Sequence, residues 1–339
     1  MPDGNIYILV TIIILAIGFG FTNGLNDAAN AIAAAIGTRA LSPRAAVILA
    51  AVFNFAGAAT GLEVARTIGQ GILIPEAITS LTIIAALASV IAWTAFATYK
   101  GLPVSLTHGF VVGLASAGAA AVGNGAVNWN IMTQVMSAVV TAPVLGFAGG
   151  FVFMVILYWV VRKTAPEVIR SVFSKLQIPA SAFVAYAHGK NDGQMPVGVM
   201  IMALVAYYGD PGLWDRLSIT DAGLWWVIVL SALSISSGMA IGGWRVIKTV
   251  GMRVTTLTPI HGFTAQASAA GVIEIASQLG IPVSTTHCVS SSIMGVGATT
   301  RFSAVRWGIA GNIVAAWVLT FPICGALGYL FSWLLNHWF

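Results

Sequence analysis

Charge is what this chain lacks most: only 7% of its 339 residues are Asp, Glu, Lys or Arg, and only 10 of them are acidic. A soluble domain of ordinary composition is roughly 25% charged, so a water-covered globular surface is excluded. Cysteine is nearly absent too. Cys288 and Cys324 stand apart in apolar surroundings with no CxxC pair, which points to neither a disulfide framework nor a cysteine metal site. No Walker loop occurs, so this chain alone is not an ATP-driven pump. The N-terminus lacks a basic region before its first apolar run and a small-residue cleavage site after it. Ile6 to Phe21 is therefore expected to stay in place as a first membrane segment.

Apolar sequence fills the rest, at 58%, in runs of membrane-spanning length. Tyr7 to Ala16 and Phe147 to Val161 are nearly continuous rather than alternating, which excludes an outer-membrane barrel. The formal charge of +5 sits in short loops, where it acts as a topology signal, so no nucleic acid partner is expected. Spans are predicted at 6–37, 45–62, 78–99, 129–143 and 144–161, then at 181–208, 224–244, 258–279, 306–321 and 323–338. Small-residue segments at 102–123 and 281–300, each opening on Pro-Val-Ser, read as re-entrant, because irregular backbone at membrane depth needs cover from protein or a wet cavity.

The expected fold class is thus an all-α polytopic membrane protein. Two inverted repeats, 1–161 and 181–339, each hold about five transmembrane passes and a re-entrant helical hairpin, and a basic cytoplasmic linker, 162–180, joins them. Arg162, Lys163, Arg170 and Lys175 set the linker inside, Asp210, Asp215 and Asp221 suit the outside, and Arg245, Lys248 and Arg253 return inside. Counting passes places both termini outside. Arg301 and Arg306 also fall outside in this scheme, against the rule.

The repeat is visible in two motif pairs. Asn23-Gly-Leu-Asn-Asp27 recurs as His188-Gly-Lys-Asn-Asp192, and Gly101-Leu-Pro-Val-Ser-Leu-Thr-His108 matches Gly280-Ile-Pro-Val-Ser-Thr-Thr-His287 at six of eight positions. Duplicated membrane halves broken by Gly and Pro beside polar residues are the signature of a secondary transporter. Asp27 and Asp192 lie deep in apolar sequence, where a charge costs about 2.5–3.5 kcal/mol on insertion scales, so they are candidates for cation or proton coupling. Ser105 and Thr107, with Ser284, Thr285 and Thr286, follow Pro103 and Pro282. Hydroxyls beside the free N–H groups of a helix start make an anion site. His108, His188 and His287 are three of five histidines and all lie inside motifs. Lys190 is placed to touch an anion and Glu274 a cation or proton.

Together these motifs resemble the inorganic phosphate transporter family. Gly24-Leu-Asn-Asp-Ala-Ala-Asn-Ala31 fits the family's Gly-x-Asn-Asp-x-x-Asn-Ala marker, and His188-Gly-Lys-Asn-Asp-Gly-Gln194 is similar to the second-half variant of bacterial low-affinity phosphate permeases. The segments 103–108 and 282–287 are similar to its hairpin motifs. The resemblance implies a symporter in the plasma or inner membrane that imports inorganic phosphate, working as a homodimer without a cofactor. Its site would be Asn26, Asp27 and Asn30 with Ser105 and Thr107, facing Asn191, Asp192 and Gln194 with Ser284, Thr285 and Thr286. The co-transported ion would be H+ or Na+, with a divalent metal carried as a phosphate complex a further option. Met195 stands where Asn30 stands in the first half, and a thioether is a poor partner for sodium, which favours H+. A sulfate permease is the nearest alternative, but two carboxylates suit an anion that can donate a hydrogen bond, as phosphate can and sulfate cannot. Paired Asp and His would also fit an intramembrane hydrolase, which leaves the symmetry of the repeat unexplained.

Overall fold

In the computed structural model, residues 5–218 and 223–338 are described; Asp221 and the extreme termini lie outside the described residues. The first half runs α1 (Ile6–Gly37), α2 (Pro43–Ala58), α3 (Glu63–Arg66) with a π-helical turn Thr67–Gly71, α4 (Ser80–Lys100), α5 (Leu106–Val122) and α6 (Trp129–Val161). The second runs α7 (Pro166–Asp192), α8 (Gln194–Tyr208), α9 (Leu213–Arg216), α10 (Trp225–Ile241), α11 (Trp244–Lys248) with a π-helical turn Thr249–Arg253, α12 (Pro259–Gln278), α13 (Thr285–Thr300) and α14 (Trp307–Trp338). Polar side chains start the helices where the sequence offers them: Asn5 accepts from the Tyr7 N–H ahead of α1, Ser42 from Ala45 ahead of α2, and Thr79 from Thr82 ahead of α4.

The element order of the first half returns in the second. Each half has one bent helix pair, turned by 66° at Pro43–Ala58 and Glu63–Gly71 and by 59° at Trp225–Ile241 and Trp244–Arg253. Each ends on a long helix with an interior proline, Pro143 in α6 and Pro322 in α14. Packing follows the same exchange: α1 lies on α10 as α7 lies on α2, and α5 lies on α14 as α13 lies on α6. There are two exceptions: the partner of α1 breaks at Gly193 into α7 and α8, and α9 has no counterpart in the first half.

The spans divide differently from the expected pattern in two places. Residues 129–161 form one helix, as do 307–338, because a proline within a long apolar segment costs one hydrogen bond without offering the backbone anything better than helix. The segments expected to be re-entrant each form a single helix, α5 and α13, rather than a hairpin of their own, and each packs on the helix before it. Ile74 N–H donates to the Ala126 carbonyl (2.9 Å) and Asn128 N–H to Ile72 (3.0 Å), which ties the end of α5 to the start of α4. In the second half Arg306 N–H donates to Val254 (2.9 Å) and the Thr255 hydroxyl to Ala304 (3.1 Å), tying α13 to α12. Both α4–α5 and α12–α13 are therefore hairpins whose ends open on one side.

Arg301 and Arg306 lie at the same end of this helix pair as Arg253, whose carbonyl accepts from the Arg306 guanidinium at 2.9 Å. Most of the expected linker 162–180 is helical, since α7 begins at Pro166. By length and composition α1, α4, α6 and α14 can each cross a membrane. Val140, Val144 and Val318 are more than half exposed on α6 and α14, a face that only lipid or another apolar surface would cover without penalty.

Candidate functional site

The hairpin tips are built by glycine, proline and serine in sequence. Gly101 and Gly280 take the left-handed conformation (φ +75° and +67°), which turns the chain at the ends of α4 and α12. Ser105 then accepts from the His108 N–H (3.2 Å) and Ser284 from the His287 N–H (3.1 Å), starting α5 and α13. Asn26 holds the first tip: its carbonyl oxygen accepts from Val104 N–H (3.3 Å), and its amide donates to the Thr98 hydroxyl (2.8 Å) and the Leu102 carbonyl (3.2 Å). Asn191 holds the second tip, with its carboxamide 3.0 Å from the Ser277 hydroxyl. Four expected site residues, Asn26, Asn191, Ser105 and Ser284, thus use their side chains to position the tips.

Between the tips Asp27 and Asp192 converge. Oδ2 of Asp27 lies 3.5 Å, and Oδ2 of Asp192 3.0 Å, from Nε2 of His188. The same two oxygens lie 3.3 Å and 2.9 Å from the Thr285 hydroxyl. Thr286 donates to Oδ1 of Asp27 (2.8 Å), Thr107 donates to Oδ1 of Asp192 (3.1 Å), and Asn30 donates to Thr286 (3.0 Å) and Thr285 (3.3 Å). Asp27, Asp192 and His188 are 2% exposed or less, so water does not screen these charges. Each half supplies one aspartate, and Thr285 touches both.

His188 is oriented from behind. Its Nδ1 lies 2.6 Å from the Asn54 amide nitrogen, which also faces the Ala185 carbonyl at 3.4 Å. With that amide donating, Nδ1 accepts and the ring hydrogen sits on Nε2, toward the carboxylates. Asn54 was not foreseen from the sequence. Its only signal is a polar residue within the apolar run 45–62.

Other expected residues lie elsewhere. Gln194 accepts from the Val64 and Ala65 N–H groups (2.9 and 3.2 Å) and so fixes the start of α3. Lys190 pairs with Glu274 at 2.5 Å, and Gln278 donates to the same carboxylate at 3.0 Å. His108 and His287 pack on each other, with ring centres 5.0 Å apart, and on Phe321 and Trp317 of α14. Neither bonds to an aspartate among the described residues.

Two helix starts meeting at a buried cluster of hydroxyls suit an oxyanion, which the positive ends of the helices stabilise. Ligand atoms of Asp27, His188 and Asp192 all lie within 4.8 Å of one another, an arrangement able to hold a proton or a cation. Residues 23–328 match the model of the phosphate transporter family. The chain is 38% identical over 324 residues to a "Probable low-affinity inorganic phosphate transporter" of Rhizobium meliloti, covering 95% of each. It is 37% identical over 336 residues to a protein of the same name in Bacillus subtilis, covering 98% of this chain and 99% of that one. A solved structure titled "The sodium-dependent phosphate transporter" superposes with a TM-score of 0.86 at 28% identity, covering 98% of this chain and 100% of the other.

Proposed function

Since the chain belongs to the phosphate transporter family, we propose that it imports inorganic phosphate together with a proton, binding both where the two hairpin tips meet. It is a multi-pass membrane transporter and not an enzyme, and phosphate is the substrate that its relatives' names support. The observation that carries the coupling is the convergence of Asp27 and Asp192 on one hydroxyl and one imidazole. The Thr285 hydroxyl and the His188 ring each offer these two oxygens one hydrogen, but a neutral donor leaves both charges in place. A proton shared within the cluster reduces the buried negative charge. Phosphate approaches the same hydroxyls and helix starts, so proton and anion occupy one enclosure and cross together.

In this reading the halves are inverted, one hairpin enters from each side, and both termini face outward. The basic residues at 162–175, 245–253 and 301–306 then share the cytoplasmic side. Sodium is the second reading, supported by the solved neighbour's title and by the three clustered ligand atoms. Purified protein in liposomes, with pH and sodium gradients imposed separately, decides between them. An inward proton gradient is expected to drive phosphate accumulation without sodium. An absolute requirement for sodium with no response to pH would transfer the coupling to sodium. Asp192→Asn, which keeps the shape of the side chain but removes its titratable carboxyl, is expected to insert normally and lose most accumulation.

A further inference from the structure

One polar side chain near this cluster has no role in it so far. Asn23 is fully buried, and neither atom of its carboxamide has a hydrogen-bond partner among the described residues. A buried amide without a partner destabilises a protein, so its persistence asks for a cause. Its position supplies one. On α1 it lies one turn before Asp27 and two before Asn30, on the face that carries both. One turn further out, Phe19 stacks on Phe110 of α5 with ring centres 5.1 Å apart, so the next side chain along that stripe is apolar.

The repeat gives an independent reading of the same place. Asn23 precedes Asp27 by the interval at which His188 precedes Asp192. His188 reaches both carboxylates from that position. The residue after Asn23, Gly24, faces another way: a side chain there would meet the Ile235 carbonyl of α10. Asn23 therefore stands on the stripe of α1 that carries Asp27, as His188 stands on the stripe of α7 that carries Asp192.

We propose that Asn23 contacts the transported phosphate and selects for an oxyanion that carries a hydrogen, an assignment that rests on phosphate being the cargo. A carboxamide offers one acceptor and two donor hydrogens. Hydrogen phosphate answers both, donating its P–OH to the amide oxygen and accepting from the amide nitrogen. Sulfate can only accept, which leaves the buried amide oxygen unpaired and is the kind of mismatch that discriminates strongly.

Asn23→Leu tests this, since leucine has a similar size and nothing to bond. Phosphate binding to the purified protein, followed by calorimetry, is expected to weaken about ten- to a hundredfold. The preference for phosphate over sulfate in competition is expected to shrink by a similar factor. The melting temperature without phosphate is expected to hold or rise, because an unpaired polar group has been removed. A lower melting temperature with unchanged phosphate binding and selectivity would make Asn23 structural and overturn the proposal. If Asn23→Leu does not fold, Asn23→Ser is read instead: weaker phosphate binding and reduced selectivity support the contact, and wild-type values for both overturn it. Failure of the wild type to bind phosphate would remove the transport reading and this one with it. Wild-type binding beside a variant that binds equally well removes only this one.

Discussion

Thr285 is the side chain on which both halves of the molecule depend, since its hydroxyl lies within 3.3 Å of a carboxylate oxygen from each. Thr285→Val keeps the β-branched shape and removes the hydrogen. Phosphate uptake in liposomes is expected to fall at least tenfold, because a hydrogen bond to a charged group contributes roughly 1.5–3 kcal/mol. Behind the cluster, Asn54→Leu would leave Nδ1 of His188 buried without its donor. That variant should lose about 1–3 kcal/mol of stability, read as a lower melting temperature in detergent. The two aspartates and the Thr residues were legible in the sequence because they lie in repeated motifs. Asn54 was not, because nothing marks which polar residue of an apolar run faces inward until neighbouring helices set its direction, and Asn23 opens a motif whose sequence does not show that its amide is left without a partner. Ser105 and Asn26 were legible as important, while their work of fixing a tip emerges only from the hydrogen bonds.

At the scale of elements, the hairpins depend on two turns that only glycine adopts cheaply. Gly280→Ala places a Cβ in the left-handed region at a cost of about 1–2 kcal/mol. The strain falls on the segment that carries Thr285 and Thr286, so a lower melting temperature and slower phosphate uptake are expected together. Gly101→Ala should behave alike at the other tip, and unchanged stability in both variants would contradict the tip geometry. The helices were legible in apolar runs of spanning length, and the two tip motifs in their recurrence. The arms of the hairpins were not, since a largely apolar 21-residue helix such as α4 reads as a crossing whether or not the chain comes back beside its start. That depends on bonds as distant as Ile74 to Ala126, which no local pattern announces. Pro143 and Pro322 misled in the opposite direction by suggesting ends where the helix continues.

At the scale of the whole molecule, the proposed sidedness is open to a direct check. Lys163→Cys and Arg301→Cys should react with a membrane-impermeant thiol reagent only after cells are permeabilised, whereas Asp210→Cys should react in intact cells. Cys288 and Cys324 are both buried and contribute little background. Labelling of Arg301→Cys in intact cells would contradict the shared cytoplasmic end. The two halves match in path but not in charge. Lys190 and Glu274 pair across α7 and α12, while the residues in their places in the first half are Leu25 and Ala95. A carrier with identical halves would present the same threshold to cargo arriving from either compartment. Here an ion pair must be disturbed to separate α7 from α12, and no such pair stands at Leu25 and Ala95. Half-saturation of phosphate transport should therefore differ between the two directions, even though the driving gradients alone decide which way net flow runs.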